Sequence, residues 1–294
     1  EHGDHPRSPE QERPGLEVEA LLKKAQAIRE QEHRLKPSLR LKTIEEVVNF
    51  IHSKGLVSML GGNELPSLIS ALLGKPWKPT GKGFTSWLEW WDIKVSGQDA
   101  GHLLMEIPRR KDIIGTRIFR NSKTFVSERL WPILDPVVAH YQDLARRHKI
   151  LSQLEWKILD TLAEKGPTRT DRLRVALKLE GKQHTAKFHR ALTQLERLGL
   201  IVGYEDPNPE KHLHAAIWRL WSQRVGAVKK DLTYEKAMAE LLRKAIDACV
   251  LAHEKEIGKW FSWNGKLMEA KQELVASGRV LQAGSFLVTP RAVR

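Results

Sequence analysis

Thr185-Ala-Lys187-Phe188-His-Arg190-Ala191-Leu192-Thr-Gln194-Leu195-Glu-Arg197-Leu198-Gly199 is the stretch that decides the fold. At 100° per residue, Phe188, Ala191, Leu192, Leu195 and Leu198 fall on one face. Lys187, Arg190, Gln194 and Arg197 form a stripe well away from it. The pattern predicts a helix from about Lys182 to Leu198, stopped by Gly199. Two helices precede it. One carries Leu154, Ile158, Leu159 and Leu162 and ends at Gly166-Pro167; the other runs from Thr170 to Leu179. After it come Leu200 to Tyr204, a turn-rich tip at Asp206-Pro-Asn-Pro209, and a returning strand from Leu213 to Leu220. Helix, helix, helix, hairpin is the order of a winged helix, a fold that offers its third helix to the major groove. Residues 151–226 therefore read as one such unit. Lys182, Lys187, Arg190 and Arg197, with Lys211 on the wing, suit phosphate contact, and Gln194 or Arg190 suits base edges. A solvated basic helix face is the plainer reading of the same stripe.

The charge of the whole chain agrees. Lys and Arg outnumber Asp and Glu by 49 to 36 over 294 residues, a net charge of +13. Such an excess draws a protein to polyanions, of which nucleic acid is the commonest. The excess is spread along the chain rather than gathered in one block. Cys249, the single cysteine, lies in an apolar helical run and reads as a small core residue. One cysteine allows neither an internal disulfide nor a thiolate metal cluster. The sequence contains no apolar run of membrane-spanning length. The N-terminus lacks the apolar core of a signal peptide. These features predict a cytoplasmic, nucleoid-associated protein.

The expected class is α+β: mainly helical with small hairpins, as tandem winged helices behind a helical N-terminal region. Residues 1–39 read as a disordered tail, to about Pro14, and a charged helix from Leu16 to Leu35. Residues 40–150 read as a helical, tryptophan-rich domain, a degenerate winged helix. Thr43 and Glu46 form a capping box there, and Pro66 reads as the first residue of a helix running through Leu73. Ten Trp is a high count, and Trp87, Trp90 and Trp91 stand at i, i+3, i+4 on one helix face. They are candidates for stacking on an exposed base, though such clusters are more often core. Trp131 to Leu144 reads as a helix interrupted by Pro136. Residues 227–294 repeat the order of helices and hairpin as a second, smaller unit, with its hairpin at Ala283-Gly284.

Three stretches carry a family likeness: Ile158 to Leu162 through Phe188–Gly199 and Trp218–Arg224; Glu235 to Ala237 through Ile257–Trp263 and Ala270–Gly278; and Gly55 to Leu60 with the helix after it. On these the chain resembles the AlkZ, or YcaQ-like, winged-helix DNA glycosylases. The resemblance implies duplex DNA, damaged or not, as partner, and excision of alkylated or crosslinked bases by N-glycosidic hydrolysis. The family positions a water at C1′ with Gln-x-Gln or Gln-x-Asp. The matching region here reads Gly55-Leu-Val-Ser58-Met-Leu-Gly-Gly-Asn63-Glu64, and neither pair is present.

A carboxylate can hold water and steady an oxocarbenium-like transition state. Glu64, with Asn63 beside it, is therefore the candidate catalytic pair; the plainer reading of Glu64 is a helix cap. His212 and His214 alternate on the wing but lack further ligands, so neither metal nor cofactor is expected. Two other functions fit the same features: a winged-helix transcription regulator, and a catalytically silent binder of damaged DNA.

Overall fold

The computed structural model describes residues 9–79, 88–148, 150–206, 215–226, 232–263 and 265–293, with side chains from residue 17 onward. The chain is α+β, with helices set around small antiparallel sheets. Helix α1 (Pro9–Glu32) starts earlier than expected and runs through Pro14, so the polar tail is helical from Pro9. Its Val18, Leu21, Leu22 and Ala25 pack on Val250, Leu251 and Phe286 near the other end of the chain. That contact gives an otherwise polar helix its anchor.

The first sheet lies in the segment expected to be a helical, degenerate winged helix. Helix α2 (Ile44–Lys54) begins at the Thr43–Glu46 capping box and leads into β1 (Leu56–Ser58). Helix α3 (Leu68–Leu73) is capped by Ser67, which places Pro66 outside it. A small hairpin, β2 (Lys94–Val95) and β3 (Gln98–Asp99), leads into α4 (Ala100–Glu106). Strands β4 (Ile113–Phe119) and β5 (Ser122–Ser127) then form a hairpin whose turn residues Arg120 and Asn121 both have positive φ, 48° and 52°. Two such residues give the turn a twist that matches the strands. The sheet order is β1-β5-β4.

Helix α5 (Trp131–His148) follows and is continuous through Pro136. The proline forfeits one i→i−4 bond, yet the helix continues on both sides of it, so the expected interruption does not occur. Helix α6 (Gln153–Lys165), β6 (Thr168–Arg169), α7 (Thr170–Ala176), α8 (Thr185–Arg197), β7 (Ile201–Glu205) and β8 (Ala216–Leu220) make the central segment. Its sheet order is β6-β8-β7. After the short helix α9 (Trp221–Val225) come α10 (Tyr234–Cys249), β9 (Leu251–His253), α11 (Leu267–Ala276), β10 (Leu281–Ala283) and β11 (Phe286–Val288). The third sheet is ordered β10-β11-β9.

In each of the three three-stranded sheets a short first strand pairs with the third, and the third pairs with the second. The same arrangement thus occurs three times. One apolar cluster runs through Phe119, Val138, Phe188, Leu195, Trp221 and Trp263 and joins all three. Cys249 is buried within it, and burial pushes its thiol well above the usual range. Among the described residues, no helix is long and apolar enough to cross a membrane.

Candidate nucleic-acid interface

Helix α8 is placed by a single arginine at its entry. The Arg174 guanidinium donates to the carbonyls of Leu179 (2.9 Å), Glu180 (3.1 Å) and Gly181 (2.9 Å), and to Thr185 Oγ1 (3.2 Å). The turn before α8 is thereby fixed. Phe188, Ala191, Leu192 and Leu195 are buried, as their spacing predicts. Lys187, His189 and Arg190 are exposed, and Gln194 and Arg197 are half-buried. Lys187, Arg190, Gln194 and Arg197 line one groove of about 570 Å³ together with Ser152 and Leu154. The structure therefore brings together the predicted stripe. Lys182 is exposed in the 3₁₀ turn just ahead of α8. Arg197 is held in place by donating to Ser262 Oγ at 3.2 Å. Lys211, His212 and His214 lie outside the described residues.

The back of α8 carries a group that its sequence pattern does not single out. Glu196 has a side chain only 3% exposed, with Arg117 at 3.2 Å and Lys123 at 2.8 Å. Thr116 Oγ1 donates to the Glu196 carbonyl at 3.3 Å. The β4–β5 hairpin is thus fastened to α8 by two cations that share one carboxylate. A second cleft, of about 650 Å³, opens between them. Trp91, Met105, Arg117, Lys123, Tyr204 and Trp218 are among its lining residues. His189 and Thr193 border both the cleft and the groove.

The tryptophan cluster does not form the expected helix face. Trp90 and Trp91 lie in a turn, and Trp87 lies outside the described residues. Trp90 is 1% exposed and belongs to the core of the first sheet, so it offers no stacking face to solvent. Trp91 is half-buried and packs against Gly101 and edge-on to His102.

Asn63 and Glu64 are built into the framework. Asn63 donates to Ser58 Oγ at 3.1 Å and accepts from the Leu65 amide at 3.1 Å, which closes the loop after β1. Ser58 Oγ in turn donates to the Leu60 carbonyl. Glu64 caps no helix, since α3 begins beyond it at Leu68 with its own cap, Ser67. Its carboxylate accepts two hydrogen bonds from Arg120, one of them 2.8 Å from Nε, and its carbonyl accepts from Arg29 at 3.2 Å. Arg120 also donates to Glu256 at 2.5 Å, and its own amide donates to the Trp260 carbonyl at 2.7 Å. Burial disfavours charge on Arg120, but the hydrogen bonds to Glu256 and Glu64 overcome this and raise its pKa. The hydrogen bonds from Arg120 and Lys259 pull Glu256 down to about 2. The hairpin tip, the loop after β1 and the third segment meet in this one cluster.

A serine, histidine and aspartate also stand in series: His52 Nδ1 lies 2.7 Å from Ser127 Oγ, and His52 Nε2 lies 2.9 Å from Asp112 Oδ2. Ser127 is fully buried, and its Oγ accepts from the Arg129 amide. The trio braces α2 against the sheet, with no access to a substrate for its hydroxyl. Among the described residues no group of His, Cys, Asp and Glu is arranged to hold a metal ion.

The repeated sheet order and the helix-before-hairpin sequence define an α+β protein built from similar small units. The chain belongs to the AlkZ-related family, whose model matches residues 41–262. It also shares its fold with the Streptomyces sahachiroi DNA glycosylase AlkZ, at a TM-score of 0.52 and 14% identity. That likeness covers 92% of this chain and 70% of the Streptomyces chain. No curated protein sequence matches this chain.

Proposed function

We propose that this protein binds duplex DNA, in a DNA-repair setting of the glycosylase type, by laying α8 against the phosphate backbone. The observation that carries this reading is the groove on α8. There Lys187, Arg190 and Arg197 gather with Gln194 on a helix whose other face is packed. The net charge of +13 supports it, as does membership of the AlkZ-related family. The three-fold recurrence of helix, strand, helix and hairpin supports a tandem winged-helix reading, in which α8 is the helix such folds present to DNA. Asn63 and Glu64 act here as framework, because the polar groups needed to hold a water are already hydrogen-bonded to the protein. Function as a binder of damaged or distorted DNA is the reading that needs nothing further from them.

Fluorescence anisotropy of a labelled duplex across a salt series tests this. Each phosphate neutralised contributes a slope of about −0.9 in log K against log salt, so three cations predict about −3. Binding that is indifferent to salt would defeat the reading. An assay for free base released from alkylated duplex tests the second half. If base is released, and Glu64→Ala abolishes the release while leaving binding intact, then Glu64 is catalytic and the framework assignment is wrong.

A further inference from the structure

Helix α1 is fastened to the rest of the chain in two ways. Its Val18, Leu21, Leu22 and Ile28 pack on a small apolar cluster of Val250, Ala283, Val288 and Ala292, separate from the core that joins the three sheets. Among its described side chains only Ala25 is fully buried. A helix held by one small cluster, with most of its surface in water, opens at a lower free energy than the core beneath it.

The polar ties gather at the other end of α1, in its last turn. Glu32 accepts from Lys54, at the end of α2, at 2.6 Å and from Arg291, near the end of the chain, at 3.0 Å. One carboxylate thus joins the first segment to the third. His33, the next residue, donates from Nε2 to the Ala248 carbonyl at 2.9 Å. The Lys54 side chain is only 11% exposed; burial lowers its pKa and the hydrogen bond to Glu32 opposes that, so this cation depends on α1. Arg29 completes the set by donating to the Glu64 carbonyl at 3.2 Å. That carbonyl belongs to the loop after β1, whose side chains Asn63 and Glu64 are held by Ser58 and Arg120. A single turn of α1 therefore grips the loop, α2 and the third segment together.

We infer that α1 is a strap: it opens as a unit while the rest of the fold stands, and when closed it holds the loop from Ser58 to Leu65 in its framework arrangement. With the strap open, Arg29 leaves the Glu64 carbonyl and Glu32 leaves Lys54, and Glu64 keeps only its hydrogen bonds from Arg120. The strap thus sets how firmly the loop is committed to the framework. It stands apart from the DNA-binding reading and does not rest on it.

Hydrogen–deuterium exchange of the full chain tests this, read in the peptides that cover α1, the loop from Ser58 to Pro66, and α8. Leu22→Ser weakens the apolar seat of α1 about two helical turns ahead of Arg29, away from the polar ties. A strap that moves as a unit passes the loosening on, so α1 and the loop are both expected to exchange about tenfold faster, with α8 at its wild-type rate. Arg29→Ala leaves the seat intact and is expected to speed the loop by about the same factor, the loss of one charged hydrogen bond, with a smaller change in α1. Should Leu22→Ser fold poorly, Glu32→Gln loosens the strap from its other end, and the same pattern is expected. Faster exchange of α1 beside an unchanged loop overturns the proposal, because the two then open separately. Faster exchange in all three peptides overturns it too, because α1 then opens only with the whole fold. Unchanged exchange in all three after Leu22→Ser makes α1 part of the core, and the strap fails.

Discussion

The outer face of α8 and the loop from Ser58 to Glu64 are both polar, yet the fold uses them in opposite ways. On α8, Lys187 and Arg190 extend into solvent beside a groove, and the helix needs neither of them for its packing. In the loop, Ser58 and Asn63 hydrogen-bond within the loop and its edge, and Glu64 to the distant Arg120. A polar group already paired within the protein must break that pairing before it can hold a substrate or a water, whereas one facing water has only to shed its solvent. The helix face is therefore the better candidate for the proposed DNA contact and the loop the more committed framework, although family resemblance alone draws attention to the loop.

The largest expected effect falls on the helix. Reversing both charges, Lys187→Glu with Arg190→Glu, removes two of the proposed phosphate contacts and adds two repulsions, so duplex affinity should drop roughly a thousandfold at moderate salt. Thermal melting of the double variant should stay close to wild type, because both side chains are exposed. A double variant that binds duplex as tightly as wild type would remove α8 from the interface. Next in size is the back of the same helix. Glu196→Gln leaves Arg117 and Lys123 side by side against a neutral amide and should cost about 3 kcal/mol in a denaturant titration. Across the comparison, Glu64→Ala should cost only about 1 kcal/mol, because Glu256 remains to pair Arg120. If the ranking of Glu196 and Glu64 reversed, the loop cluster would be the stronger joint of the two.

What could be read from the sequence follows the range of the interaction. The stripe on α8 and the Thr43–Glu46 capping box depend on residues within a few positions of each other, and both are present as expected. The α+β class follows from the same local patterns. Strands β6 and β9 span two and three residues, too short for an alternating pattern to register, and only pairing with β8 and β11 makes them strands. Strands β4 and β5 carried a mixed pattern because both faces of that sheet are largely buried. Glu196 looks like one more charge in Leu195-Glu-Arg-Leu198 until the hairpin supplies Arg117 and Lys123 from far along the chain. Glu64 looks available for the same reason, since its partner Arg120 is 56 positions away. The pairs Trp91–Gly101 and Trp218–Gly203 are likewise set by tertiary approach and not by local spacing.

Acid titration separates two further joints. His33 is buried and donates from Nε2 to the Ala248 carbonyl at 2.9 Å, which ties the end of α1 to α10. Burial, aided by the positive charge of Arg29, lowers its pKa from 6.5 to about 3. The unfolded chain therefore takes up this proton first as pH falls, and the folded state loses stability from pH 6.5 down towards 3. The wild-type melting temperature should fall between pH 6.5 and 4.5 more steeply than that of His33→Gln. Parallel curves would mean that the imidazole takes up its proton as readily in the folded protein as in the unfolded chain.

The smallest effect belongs to Glu256, on the outer side of the cluster that contains Glu64. Its hydrogen bonds from Arg120 and Lys259 lower its pKa from 4.5 to about 2. A depressed carboxylate stabilises the fold at every pH above its unfolded value and loses that contribution as pH falls through its folded value. The window here runs from pH 4.5 to 2, below most of the His33 window, so the two transitions separate in one titration. Glu256→Gln should flatten the acid limb of the melting curve in that lower window and leave the upper one unchanged. The variant also probes the opening comparison. With Glu256 neutral, Glu64 becomes the only carboxylate on Arg120 among the described residues, so Glu64→Ala in that background should cost more than it does alone. Simple additivity of the two variants would show that Glu64 does not depend on the cluster for its place. The contrast between a committed loop and an available helix face would then rest on Asn63 and Ser58 alone.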